Sequence, residues 1–68
     1  MKPVSGKRMC RILERSGWNL VRTKGSHHAY QKPGQSGTII VPVHGNDDLK
    51  AGTQHAIMRD AGLTEDDL

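Results

Sequence analysis

Three β-forming runs follow one another with very little chain between them. Residues 18–23 (WNLVRT) lead through Lys24-Gly25-Ser26 into residues 27–32 (HHAYQK). Those lead through the Pro33-Gly34-Gln35-Ser36-Gly37 cluster into residues 38–43 (TIIVPV). β-branched and aromatic residues fit pleated strands, and clustered Gly, Pro and Ser mark turns. Connections this short join antiparallel neighbours, because parallel strands need a crossover of a dozen residues or more. The middle of the chain is therefore a three-stranded antiparallel meander. Pro42 has no N–H to give to a ladder, so the third strand is an edge or ends there.

Helices flank the meander. Ser5 is placed to cap the first, over Gly6 to Ser16, although Arg8 stands where a capping box would have Glu or Gln. Met9, Ile12 and Leu13 repeat at helical spacing, with Val4 ahead of them as a staple. Arg8, Arg11 and Arg15 share the opposite face, and Gly17 ends the helix. After a polar loop from His44 to Lys50, Thr53 is predicted to cap a second helix that runs to Ala61 and buries Ala56, Ile57 and Ala61. Gly62 then takes the left-handed conformation, Leu63 folds back toward Met58, and the acidic tail adds a turn or frays. The result is a single α+β domain over residues 1–68, ordered α-β-β-β-α. Two helices lie on one face of the sheet, and two cannot cover both, so the other face is open.

A chain of 68 residues has a thin core. Its one cysteine, Cys10, cannot close an internal disulfide and reads as packing in the first helix, which suits a reducing, cytoplasmic setting. No apolar run approaches the ~20 residues of a membrane span, and the first residues lack the apolar stretch of a signal peptide. With no Phe, one Trp and one Tyr, the chain has no aromatic platform for stacking single-stranded bases. Charge is the stronger signal. Residues 1–32 carry eight Lys and Arg against Glu14 alone, a balance of +7, while residues 33–68 carry two against six acids, a balance of −4. A domain that shows one side to phosphates has this asymmetry.

TKGSHHAY, residues 23–30, holds two of the four histidines. Consecutive strand residues point to opposite faces, so His27 and His28 cannot share a role. His28 has the parity of Tyr30, and His27 that of Ala29. No pair among His27, His28, His44, His55 and Cys10 has zinc-site spacing, so neither a metal nor a cofactor is expected. Ser26 beside His27 is not a triad. What remains is a histidine among basic neighbours. Imidazole takes and gives protons near neutrality, and RNA carries its own nucleophile in the 2′-hydroxyl. A base that removes that proton yields a 2′,3′-cyclic phosphate and a free 5′-hydroxyl. Lys24 and Arg22 can neutralise the phosphate in transit, and the N–H groups of the Gly25-Ser26 turn can hold one of its oxygens. His44 is a candidate second acid–base group, and His28 stays a chemically equal neighbour. His55 sits on the second helix and reads as surface. The arginine stripe suits either RNA, with binding that falls as salt rises, or an acidic protein partner.

Several of these stretches resemble the HicA (YcfA-like) toxin family of toxin–antitoxin pairs. They are SGK at 5–7, GWxLVRxKGSH from Gly17 to His27, VPVH at 41–44, LKxGT at 49–53 and AGLTE at 61–65. The resemblance implies a fold like a double-stranded-RNA-binding domain and an mRNA interferase that arrests translation. It implies that the essential histidine, which follows Gly-Ser, is His27, and that a HicB-like antitoxin is the partner. The competing class is a non-catalytic module that recognises duplex RNA by shape. A third class, a scaffold that binds only protein, fits the +7 half poorly.

Overall fold

A computed structural model describes residues 1–68. Helix α1 (Gly6–Arg15) is followed by β1 (Asn19–Lys24), β2 (His27–Gln31), β3 (Ile39–Pro42) and helix α2 (Ala51–Ala61), with a final 3-10 turn at Glu65–Asp67. The strands form one antiparallel sheet in the order β1-β2-β3. The fold is α+β with the expected α-β-β-β-α order. β3 is an edge strand and stops at Pro42, where the ladder loses its donor.

Local chemistry accounts for the ends of the elements. The Ser5 hydroxyl accepts from the Arg8 N–H at 3.0 Å, which caps α1. α2 departs from expectation at its start. It begins at Ala51, after Lys50, and no side chain caps it, so Thr53 lies inside the first turn. Its first backbone bond, Gln54 N–H to the Lys50 carbonyl at 2.9 Å, is made without the hydroxyl. The buried face also differs: it is Gln54, Ile57 and Met58, while Ala56 and Ala61 are half-buried. The far end is as expected. Gly62 sits at φ 68°, and the Leu63 N–H returns to the Met58 carbonyl at 2.8 Å. The acidic tail adds a turn, closed by the Asp67 carboxylate on the Thr64 N–H.

The core is a single cluster between helices and sheet. Met9, Ile12 and Leu13 of α1 and Ile57 and Met58 of α2 meet Tyr30, Ile39 and Val41 from one sheet face, with Trp18 joining at the α1–β1 corner. Cys10 is buried within it. A chain this small needs its termini tied down. The Leu49 N–H bonds to the Val4 carbonyl at 2.9 Å, and Ser5 and Asp48 form a bridge. Gln54, 1% exposed, clamps the same segment from α2: its Oε1 accepts from the Val4 N–H at 3.1 Å, and its Nε2 donates to the Lys2 carbonyl at 2.7 Å. Gly6 packs against the Pro42 carbonyl so closely that a Cβ would not fit.

Replacing Gln54 with Leu keeps the volume and strands the buried Val4 N–H. The expected cost is about 2 kcal/mol, a fall in Tm of roughly 10 °C for a domain of this size. Thermal unfolding followed by circular dichroism checks it. A change within 2 °C would mean the clamp contributes nothing.

Candidate functional site

The β1–β2 connection is a two-residue turn. Gly25 has φ 58° and Ser26 stays negative, the sign pattern of a type II′ hairpin turn, which asks for Gly at the first position. This turn pairs Lys24 with His27, and β3 continues the row with Pro42. Directly paired residues share a face, with Cβ atoms about 5 Å apart. The next row on that face is Arg22, Ala29 and Ile40. The other face carries Thr23, His28 and Val41, then Leu20, Tyr30 and Ile39. Since Tyr30, Val41 and Ile39 are core residues, His27 lies on the side away from the helices.

One irregularity makes this arrangement. The register shifts between Leu20 and Arg22, with Val21 as the extra residue. Without it, Arg22 would pair with His28 on the helix face and Val21 with Ala29. The bulge thus brings Arg22 and Lys24 to His27's face. All six β1 residues are exposed, as is His27. Neither Arg22 nor Lys24 has a carboxylate within ion-pairing distance, the only two pairs being Met1–Glu65 and Arg59–Asp60.

The remaining candidates separate. Ser26 is half-buried, and its carbonyl accepts from the Val43 N–H at 2.7 Å, which ties the hairpin turn to the end of β3. Gly25 stands free in solvent. His28 is half-buried on the helix side, its Nδ1 4.0 Å from Cys10 Sγ. His44 is exposed beyond β3. It lines a cleft of about 350 Å³ with Asp47, Asp48, Lys50, Thr53 and Pro42, the strand neighbour of His27. His55 is exposed on α2. No three His, Cys, Asp or Glu side chains converge, and no helix is long and apolar enough to cross a membrane.

Behind the sheet lies a polar chain that the sequence did not reveal. The Tyr30 hydroxyl, buried under α1, donates to Glu14 Oε2 at 2.8 Å beside Cys10, which in turn meets His28. Burial pushes the Cys10 thiol up from its ordinary range, with the Glu14 charge adding to it and the Tyr30 hydrogen bond opposing it. Burial also pushes the Tyr30 hydroxyl up, helped by its bonds to Cys10 and Glu14. The one sequence signal for this chain was Tyr30 standing alone as a polar aromatic in a strand.

On the exposed sheet face the His27 imidazole has two cations without carboxylate partners on its β1 side and Pro42 on its β3 side, a local excess of positive charge. The chain matches the HicA toxin of bacterial toxin–antitoxin systems over residues 6–63. It belongs to that family. Its role is that of a toxin, and the pairing implies an antitoxin partner. No curated protein matches the chain.

The raised thiol and phenol values fix a sign. The folded chain holds both protons more tightly than the unfolded chain, so this contribution is complete below the ordinary thiol value of 9.0. It is lost as pH rises past 9.0 and then past the ordinary phenol value of 10.0, because the unfolded chain releases protons the folded one keeps. Tm is expected to fall on raising pH through that window, and Tyr30→Phe should flatten the upper part of the fall. Melts of both proteins across alkaline buffers test this; parallel curves would remove Tyr30 as a cause.

Proposed function

We propose that the chain is a metal-independent endoribonuclease that cuts mRNA and so arrests translation in the cytoplasm. The observation that supports it best is the Lys24–His27–Pro42 row with Arg22 beside it, on a sheet face that no element of the chain covers. His27 takes the proton of a ribose 2′-hydroxyl. The freed oxygen attacks the adjacent phosphorus, the bond from phosphorus to the 5′-oxygen breaks, and that oxygen leaves with a proton from Lys24 or water. The products are a 2′,3′-cyclic phosphate and a 5′-hydroxyl. Lys24 and Arg22 offset the charge that builds on the phosphate oxygens. Gly25 and Ser26 shape the hairpin end and offer backbone N–H groups there. His44 is the alternative donor of the leaving proton, since its cleft is lined by Pro42, the strand neighbour of His27. His28, on the other side of the sheet, stays out of the reaction. A HicB-like antitoxin silences the enzyme by bringing acidic side chains onto the same face.

Cleavage of a long single-stranded RNA in EDTA tests this. The parent and His28→Ala should cut. His27→Ala should be slower by roughly 10²–10⁴-fold, the usual share of a positioned acid–base group. Lys24→Ala should be slower by about 10²-fold, the loss of one charge-stabilising donor. A folded parent that binds RNA without cutting it would favour the non-catalytic binding module, the reading that the +7 half and the bare face also fit.

A further inference from the structure

The open sheet face is not the only basic surface. α1 buries Gly6, Met9, Cys10, Ile12 and Leu13. At 3.6 residues per turn, Arg8, Arg11 and Arg15 fall within about 60° of one another on the side turned from the core. All three are exposed, and none is ion-paired. The helix has one acid, Glu14, and its carboxylate accepts the Tyr30 hydroxyl at 2.8 Å, which directs it toward the sheet and away from the arginines. Asp66 and Asp67 stand across a cleft from Arg15 but do not pair with it. The stripe is about 10 Å long at 1.5 Å per residue. It lies on the back of the molecule, because the helices cover the sheet face opposite the one that carries His27.

We infer that this stripe is an RNA-docking site separate from the cleavage face, holding phosphates of the same strand several nucleotides from the scissile bond. The inference rests on RNA being the substrate. Charge complementarity selects the occupant: three unpaired guanidinium groups in a row, with the helix's own acid turned aside, match a line of phosphates. The geometry sets the reach. The molecule is 19 Å across at its thinnest. At about 3.4 Å per stacked nucleotide, a strand that goes round the edge from one face to the other needs at least about six nucleotides. A long RNA engages both faces and a dinucleotide only one. The stripe therefore adds affinity for long substrates and contributes nothing to the bond-breaking step.

The test is the triple variant Arg8→Gln, Arg11→Gln, Arg15→Gln. In a His27→Ala background, which binds without cutting, its affinity for a 20-nucleotide RNA should fall about tenfold or more near physiological salt. The slope of log affinity against log salt should shrink by about 2, since each phosphate contact on a single strand carries ~0.7. The triple Arg→Lys variant should keep both. With His27 intact, the Gln variant should cut a dinucleotide within twofold of the parent while kcat/KM on the long RNA drops with the affinity. An unchanged RNA affinity overturns the inference, whether or not antitoxin binding falls. So does an equal loss on dinucleotide and long RNA, which would place the damage at the cleavage face. A parent that cuts nothing would sink the nuclease reading, and the binding measurements would still decide the stripe.

Discussion

One extra residue in β1 decides which chemistry this protein can present. A strand has period two, so a single insertion moves everything beyond it to the other face. Leu20 keeps the parity of the core through its pairing with Tyr30. Beyond Val21 the parity reverses, and Arg22 and Lys24 join Ala29 and His27. The II′ turn then locks the reversed register, since only glycine sits easily at the positive φ of Gly25. Turn and bulge work as a pair. The turn fixes Lys24 opposite His27, and the bulge absorbs the mismatch with a hydrophobic pattern set by α1 and α2. A regular β1 continuing the Leu20–Tyr30 register would set Arg22 on the helix side and Thr23, not Lys24, opposite His27.

The face is held rigid at one side and free at the other. β3 is pinned at its end by the Gly6–Pro42 approach, by the bond from the Val43 N–H to the Ser26 carbonyl, and by both helices packing over it. β1 is exposed along its whole length and stays in place through its ladder to β2. His27 sits on the central strand between them. Its backbone is fixed from both sides, while Lys24 and Arg22 reach from a strand with no packing to restrain their side chains. Flexible cations at the edge and a fixed imidazole at the centre are the placement that the proposed cleavage asks for.

Much of the fold was legible in the sequence because it rests on local chemistry. Gly25, Gly62, Ser5 and Pro42 each act through a backbone constraint that the residue type alone expresses, and the short loops force the meander. What was not legible depends on partners far along the chain. The start of α2 was read from the capping preference of Thr53, but Ala51, Gly52 and Thr53 itself enter the helix without a side-chain cap, so the reading fell three residues late. The Gln54 clamp had no local signal, because its two partners, Val4 and Lys2, are some fifty positions away. The bulge was invisible, since Val21 is as good a β-former as its neighbours. For the site, alternation alone showed that His27 and His28 must separate. Which of them faces the helices follows from Tyr30 being the residue the core needs, a fact about packing and not about spacing.

Charge placement follows from the same two-layer geometry. With helices on one side of a small sheet, five of the eight basic residues in the first half fall on two surfaces, Arg22 and Lys24 on the bare face and Arg8, Arg11 and Arg15 on the outer side of α1. The acids of the second half collect at the β3–α2 loop, the end of α2 and the final turn. On the proposed reading, an antitoxin seated on the bare face needs only enough acidic surface to match Arg22 and Lys24, and it need not reach α1. Silencing of that kind does not require all of the positive charge to be covered. The inhibitor's electrostatic work is then small compared with the charge the toxin carries, and exposed cations screened within about 8 Å at physiological salt scarcely feel each other across the body of the molecule.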